Sequence, residues 1–480
     1  MSHVHRTTPD TAHHPPESRE GAARKPGLLL AVLCLAQFML VLDVTVVNVA
    51  LPDMAADLAL GRETLTWVVT AYTLCFGGLM LLGGRLADAL GAHRTVLAGL
   101  AVFTAASLVS GLATGAPMLL TGRTLQGAGA ALMSPAALSI VTTAFHGETR
   151  NKALGVWAAI GGTGSAVGVL LGGALTDGPG WKWVFYINVP VGALALAVLP
   201  GLLPKRPTRP ARLDVPGALL ATAGTGSLIY GLVKAGDVGW GSTAAVLPLL
   251  GSLLLYGAFV AVERVSRAPL MDLRLFTRRP VVAGVFLMLT ASALLIASFF
   301  LGSVYLQHVR GLSPLRTGLV FLPVAVATGL GAHLGSRLVG RIGSRATAVA
   351  GLAVGAAGTV PLTALSSGAG VYTVLLPGLA VASFGFGAVL VTATTTALAM
   401  VAHEEAGLAS GVINTFHEVG GSIGVAVMST AAASGIDHGT AAGFADAFTV
   451  GVAVAAAGAL VALVLVPRGK PQVMPGMAMH

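Results

Sequence analysis

Three ionisable side chains of this 480-residue chain, Asp43, Arg123 and Glu418, stand inside long apolar runs. A charge at the centre of a bilayer costs at least about 2.5–3.5 kcal/mol, so each such residue is a candidate for function. Asp43 opens the run DVTVVNVALP at 43–52. A carboxylate there could take up and release a proton, because burial favours its neutral form and a nearby cation its charged form. It could equally serve as the structural partner of a cation. Arg123 keeps its proton at any working pH, so its chemistry would be to tune a neighbouring acid. At helical spacing Arg123, Gly127, Ala130 and Ser134 share one stripe, with Gln126 beside it. Asn414, His417, Glu418 and Gly421 follow i, i+3, i+4, i+7 and form a polar stripe on an otherwise apolar helix. That stripe should face a water-filled cavity. Glu418 is then a second candidate proton carrier, or half of a structural pair with His417. The expected cavity-lining residues are Asn48, Gln126, Asn414 and His417.

Nothing in the chain looks like an enzyme. The 12 His are scattered without an HExxH pair, and no Ser-His-Asp arrangement or GxxxxGK[ST] phosphate loop occurs. The two cysteines, Cys34 and Cys75, give neither a disulfide framework nor a metal set. The expectation is therefore no cofactor and no metal, with His in the N-terminal tail and Met in 474–480 read as parts of polar tails.

The elements that must position these residues follow from composition. Hydrophobic residues make up 55% of the chain, charged residues only 10%, and mean hydropathy is +0.84. Soluble domains carry about 25% charge, so the solvent for most of this chain is lipid. A soluble enzyme, a disordered scaffold and a nucleic-acid partner are all poor fits. A crossing needs about 20 mostly apolar residues. Such runs centre on 27–51, 64–84, 94–114, 117–143, 153–176, 184–204, 214–234, 242–262, 281–303, 316–336, 346–366, 371–400, 405–433 and 443–466. The sequence thus predicts an all-α polytopic membrane protein with fourteen transmembrane helices.

An even count puts both termini on one side, and basic residues choose the side. With the N-terminus inside, only Arg62, Lys182, Lys234, Arg310 and Arg316 fall outside, and Arg123 lies in a span. The other 22 of the 28 basic residues lie inside. Both ends are predicted to be cytoplasmic, in a multi-pass protein of the cytoplasmic membrane. The predicted organisation is a polar tail (1–26), a six-helix bundle (27–204), and a linker with two extra helices (205–264). A second part (265–466) holds an interfacial segment and another six-helix bundle, followed by a tail (467–480). Within 265–466, residues 270–276 read as a short amphipathic stretch or a plain basic connector.

Two loops repeat. GRLADALGAHR at 84–94 and GSRLVGRIGSR at 335–345 each follow a span with glycines and arginines, at corresponding places in the two sets of six. That suggests a duplicated architecture, common among secondary transporters. On the fifth span Gly161, Gly164, Gly168 and Gly172 share one face with Gly173 adjoining, a pattern that lets helix backbones approach closely.

With these residues in hand, the sequence resembles the major facilitator superfamily and, within it, the fourteen-span drug:proton antiporters. The resemblance covers roughly 27–466. It rests on the ordered set of 43–52, 84–94, the run LTGRTLQGAGAALMSP at 120–135, the fifth-span glycines and WKWVFYINVP at 181–190. It implies a fold of two six-helix bundles with two extra central helices, and proton coupling through Asp43 and Arg123. It also implies a conformational switch at Gly84, Asp88, Gly91 and Arg94, and an antiporter-type glycine helix at Gly161, Gly164, Gly168, Gly172 and Gly173. Two departures matter. Val169 stands where the family's fifth-span motif usually has Pro, and the second loop has Val339 where Asp88 carries its carboxylate. The expected function is proton-coupled export of a drug-like or antibiotic compound, with protons, membrane lipids and an amphipathic small molecule as partners. A metabolite facilitator or symporter of the same superfamily is the alternative. The oligomeric state is not legible.

Overall fold

The computed structural model describes residues 25–145, 147–203, 214–266, 269–270, 273–366, 368, 370–399 and 406–468. The two tails, most of the basic linker after 203 and the loop before 406 lie outside them. Apolar runs become helices because a backbone in hydrocarbon must satisfy its own polar groups. In chain order these are α1 (Pro26–Leu58), α2 (Arg62–Leu90), α3 (Ala92–Gly111), α4 (Ala116–Ala144), α5 (Gly147–Asp177), the short α6 (Trp183–Tyr186) and α7 (Asn188–Leu202). Next come α8 (Val215–Val238), α9 (Thr243–Val265), α10 (Arg279–Val304), α11 (Pro314–Ile342), α12 (Ser344–Thr359) and α13 (Leu376–Leu398). The chain closes with α14 (Ala406–Ala431), the short α15 (Ala433–His438) and α16 (Ala441–Leu465). Proline at the first turn starts α1, α4, α8, α10, α11 and α13, where its missing N–H costs nothing.

Among the described residues 12 helical stretches are long and apolar enough to cross a membrane. Outside that set stand α5, with 31 residues, and α14, with 26. Some boundaries depart from the hydropathy reading. The first helix continues through Pro52 to Leu58, and the Asn48 carbonyl that Pro52 leaves without its helical donor accepts from Ser303 Oγ instead. The sixth run is broken at Ile187 between α6 and α7. The stretch 270–276 contains a 3₁₀ turn, Leu273–Thr277, which buries Leu275 in the core.

The helices run alternately between two ends of the molecule. We call the end where α1 begins the near end, and the other the distal end. The five basic residues singled out from the sequence all sit at the distal end, on or beside helix termini. α1–α7 form one bundle, α10–α16 the other, and α8 with α9 form a hairpin between them. At the distal end a single apolar core joins both bundles: Val46, Leu51, Leu65 and Val169 pack with Phe300, Val304, Phe321, Leu379 and Phe444. Towards the near end the core divides. One part (Leu33, Phe76, Phe103, Met133, Leu199) belongs to the first bundle alone. The other (Phe259, Val281, Leu352, Val389, Val412) belongs to the second bundle and the hairpin, with Leu81 of α2 at its margin. One shared apolar core closes the distal end, while towards the near end the two bundles have separate cores.

The repeat is visible in the backbone, with a shifted register. Gly91 and Gly343 end their helices with φ of +93° and +86°, a region open to glycine at little cost. Counting back from them aligns Arg85 with Arg337, and Gly83, not Gly84, with Gly335. A Cβ on Gly83 would collide with the Ala131 carbonyl, and one on Gly335 would lie 2.7 Å from Ala388 Cα. In this register the counterpart of Asp88 is Gly340, not Val339, and the second loop carries no acid at that place.

Candidate functional site

Asp43 is placed on α1 facing α4, completely buried, and Arg123 on α4 is 1% exposed. The guanidinium Nη1 donates to Asp43 Oδ2 at 2.5 Å, and Nε donates to the Val68 carbonyl of α2 at 2.9 Å. Asp43 Oδ1 accepts from Gln126 Nε2 (2.9 Å) and from Asn188 Nδ2 at the start of α7 (3.1 Å). The Gln126 amide is oriented by its neighbours. Its oxygen accepts from Arg123 Nη1 (3.0 Å) and Ser110 Oγ (3.3 Å), and its nitrogen also donates to Ser107 Oγ (2.8 Å). The Tyr72 ring lies 4.4 Å beneath the guanidinium carbon, with the Phe185 ring at 5.9 Å. A buried ion pair holds only when its remaining donors and acceptors are also satisfied. Here both carboxylate oxygens are engaged, and a proton can reach Asp43 only if this cage opens.

The small residues of the Arg123 stripe have a clear use. A Cβ on Gly127 would strike the Tyr72 carbonyl, so the stripe seats α4 directly on α2 and carries the guanidinium to Val68. Gln126, beside the stripe, turns the other way towards α3 and α1.

Glu418 is built differently. A Cβ on Gly77 of α2 would sit 2.6 Å from Glu418 Cβ, so that glycine is the notch that lets α14 dock on α2. Beside it Thr73 and Ser422 pair at 2.5 Å, and Ser422 donates to the Glu418 carbonyl at 3.1 Å. The Glu418 side chain is partly exposed, and among the described residues no cation and no hydrogen-bond donor reaches its carboxylate. His417 does not pair with it; its Nδ1 meets Ser292 Oγ of α10 at 2.5 Å. Asn414, one turn closer to the near end, is exposed. The Tyr72 hydroxyl is buried without a hydrogen-bond partner. The same helix, α2, thus presents one face to each acid.

Two expected cavity residues are closed off in this conformation. Gln126 is committed to the Asp43 cage. Asn48 is buried, its Nδ2 donating back to the Val44 carbonyl at 2.9 Å. Its backbone carbonyl instead accepts from Ser303 Oγ of α10 at 2.6 Å, a contact between the bundles. Asp88 and Arg94 are exposed at the near end, where Gly91 makes the turn, and neighbouring Arg85 donates to the Pro269 carbonyl at 2.8 Å. A Cβ on Gly84 would make only an ordinary contact, 3.9 Å from Pro135 Cβ. The fifth-span glycines divide their work. Gly164, Gly168 and Gly172 let α5 lie against Val41, Thr45 and Val46 of α1, whereas Gly173 meets Pro314 and Leu315 of α11 in the other bundle. The surroundings of Gly161 fall outside the described residues, as do the His-bearing N-terminal tail and 474–480.

Asn188, Tyr72, Ser107 and Ser110 were not singled out as site residues from the sequence. The signal for Asn188 was present, since it stands in the WKWVFYINVP run. The others are uncharged, with no spacing to mark them. Among the described residues no group of three or more His, Cys, Asp or Glu could hold a metal ion.

Comparison with known proteins agrees with this architecture. Residues 33–425 match the family model described as Major Facilitator Superfamily. The chain is 40% identical over 454 residues to the puromycin resistance protein of Streptomyces alboniger, covering 91% of this chain and 90% of that one. It is 41% identical over 435 residues to the cephamycin export protein of Amycolatopsis lactamdurans (88% and 89%). It is also 38% identical over 413 residues to the lincomycin resistance protein of Streptomyces lincolnensis (84% of each). Among solved structures, an auto-inhibited POT-family peptide transporter superposes with a TM-score of 0.68 at 18% identity, covering 94% of this chain and 99% of that one. A bacterial homologue of the human lysosomal transporter Spinster, inward-facing and unoccupied, gives 0.62 at 17% identity, covering 94% and 100%. At those identities the structures speak for the fold alone.

Proposed function

The chain belongs to the Major Facilitator Superfamily and is a transporter, and on that premise we propose that it exports a drug-like or antibiotic compound in exchange for protons. One observation carries the reading. Two carboxylates flank α2, one caged with a cation and one bare, in a molecule closed at one end and divided at the other. The relatives named for puromycin and lincomycin resistance and for cephamycin export support the substrate class.

With α5 and α14 counted as crossings, the chain passes the membrane fourteen times and both termini lie in the cytoplasm. The sealed distal end is then external, and the near end is where a compound loads. A proton on Asp43 removes the charge that holds Arg123, so the cage loosens. Compound and proton act on opposite faces of α2, which links loading at Glu418 to the state of the cage. Gly84, Asp88, Gly91 and Arg94 form the near-end switch, and Gly164, Gly168, Gly172 and Gly173 form the helix on which the bundles turn. The work comes from the gradient, about 2.3 kcal/mol per charge per 100 mV and about 1.4 kcal/mol per pH unit. No cofactor enters.

The test is export from reconstituted vesicles with an imposed pH difference, using a panel of cationic, zwitterionic and neutral antibiotics. Export of at least one compound should follow the gradient and stop when an ionophore collapses it. Export indifferent to the gradient refutes proton coupling, and failure across the panel refutes the substrate class.

A further inference from the structure

The hairpin α8–α9 has no part in either acid site, yet it lies along the seam between the bundles, α8 touching α2 and α14 alike. Apolar packing does not favour one side: Ile229 and Val233 of α8 pack with Leu74 of α2 and with Ala426 of α14. Polar contacts do. To α2 the hairpin is joined by charge: Arg62 donates to Asp237 at the end of α8, and Lys234 Nζ lies 2.7 Å from Glu63 Oε2. To α14 it is joined, among the described residues, by one neutral bond, Thr430 Oγ1 donating to the Leu232 carbonyl at 3.0 Å. Charge-assisted hydrogen bonds are roughly twice as strong as neutral ones.

Arg62 also reaches the second bundle, but weakly. Its Nε stands 3.8 Å from Asp437 on α15. The Arg62 side chain is 3% exposed and the Asp437 side chain 49%, so Asp437 can pass into water at small cost while Arg62 keeps Asp237. The direct α2–α14 contacts at this end are likewise neutral, with Thr66 and Ser429 hydroxyls 2.6 Å apart. Among the described residues every bond across the bundle boundary here is thus neutral or long, and the two short charged ones stay on the α2 side.

We propose that at the distal end the α8–α9 hairpin is a strap fastened to the first bundle, and that opening of this end parts α8 from α14 while α2 and α8 move together. The inference rests on the transporter alternating between distal-closed and distal-open states. It assigns a job to the two helices that separate the bundles in sequence: they carry the first bundle's edge over the seam.

Thiol cross-linking tests it in a Cys34→Ala, Cys75→Ala background, since both native thiols are free. One pair, Glu63→Cys with Lys234→Cys, links α2 to α8 and replaces an ion pair by a covalent bond. The other, Leu232→Cys with Thr430→Cys, links α8 to α14. Each is joined by a short, reductant-cleavable bifunctional reagent in vesicles that already export. The α2–α8 link should leave export intact. The α8–α14 link should abolish it, with recovery on cleavage. Loss of export with the first link, or full export with the second, overturns the proposal.

Spin-label pairs at the same positions give a readout independent of the exported compound. The 63–234 distance should stay in one distribution as pH is varied, while 232–430 gains a longer one. A longer 63–234 population, or a 232–430 pair that never separates, overturns the strap. If the parent itself shows no gradient-driven export yet the spin labels separate as described, the proposed function fails and the strap survives.

Discussion

Asp43 and Glu418 are the same chemistry in opposite settings. Asp43 is shut in a buried cage with Arg123, Gln126 and Asn188, both carboxylate oxygens bonded, and the guanidinium lies over the Tyr72 ring. Glu418 is one helix away on the other bundle, held only through its backbone, and its carboxylate meets no cation among the described residues. A caged acid contributes to the fold and changes charge only when the fold rearranges. A bare acid between the bundles contributes little to the fold, and under the proposed function it is the acid that a solute meets. The two sites therefore differ in how far stability is tied to the acid, and mutation can tell them apart.

The largest effect should come from breaking the cage on its cationic side. Arg123→Met strands a buried carboxylate and should cost about 3–5 kcal/mol, read as a fall in the melting temperature of the detergent-solubilised protein together with loss of export. Asp43→Asn replaces one accepting oxygen by an NH2 that must face a donor, either Arg123 or the Gln126 and Asn188 amides. The guanidinium loses its counter-charge but keeps the Val68 carbonyl, the Gln126 oxygen and the Tyr72 ring. We expect a smaller loss, about 1–3 kcal/mol, and export that no longer responds to the pH gradient. In the double variant Asp43→Asn/Arg123→Met the losses should not add, because the pair is one unit; simple additivity would mean that the two residues are not energetically joined.

Glu418→Gln sharpens the contrast. Its melting temperature should stay close to the parent's, a change within about 0.5 kcal/mol, while gradient-driven export is lost. A destabilisation as large as that of Asp43→Asn would erase the distinction between the two acids. The smallest effect is expected at Tyr72. Tyr72→Phe keeps the ring under Arg123 and deletes a buried hydroxyl that has no partner, so stability should be unchanged or raised by up to about 1 kcal/mol. Tyr72→Leu removes the ring and should lose about 2 kcal/mol of cation–π attraction. Equal melting temperatures for the two would show that the stacking carries nothing.

Much of the fold was legible. Apolar runs of membrane length became helices, and the segregation of basic residues reappears as a difference between the two ends of the molecule. The loop repeat was legible as a repeat but misaligned by one residue. Gly83 and Gly84 look alike in sequence, and only the approach of Ala131 singles out the former. The pairing of His417 with Glu418 was a natural expectation for adjacent residues on one helix. It fails because successive helical positions point about 100° apart, and Ser292 of α10 lies on the histidine's side. Gln126 and Asn48 are read as cavity residues from polarity, and in this conformation both side chains are buried, Gln126 bonded within the Asp43 cage and Asn48 with its Oδ1 unpartnered.

What the sequence by itself determined is the depth of each charge in the membrane, since hydropathy is a property of each run taken alone. It also set which end of the molecule carries the basic residues, through their distribution among the loops. Tertiary structure decided the partners. Asp43 and Arg123 lie 80 residues apart, and whether they meet depends on how α1, α2 and α4 turn against one another. That rotation is set by small-residue notches such as Gly127 and Gly77 and by what packs into them. The same rotation closes the cage on one acid and leaves the other without a counter-charge, because a helix face is chosen by all of its neighbours at once.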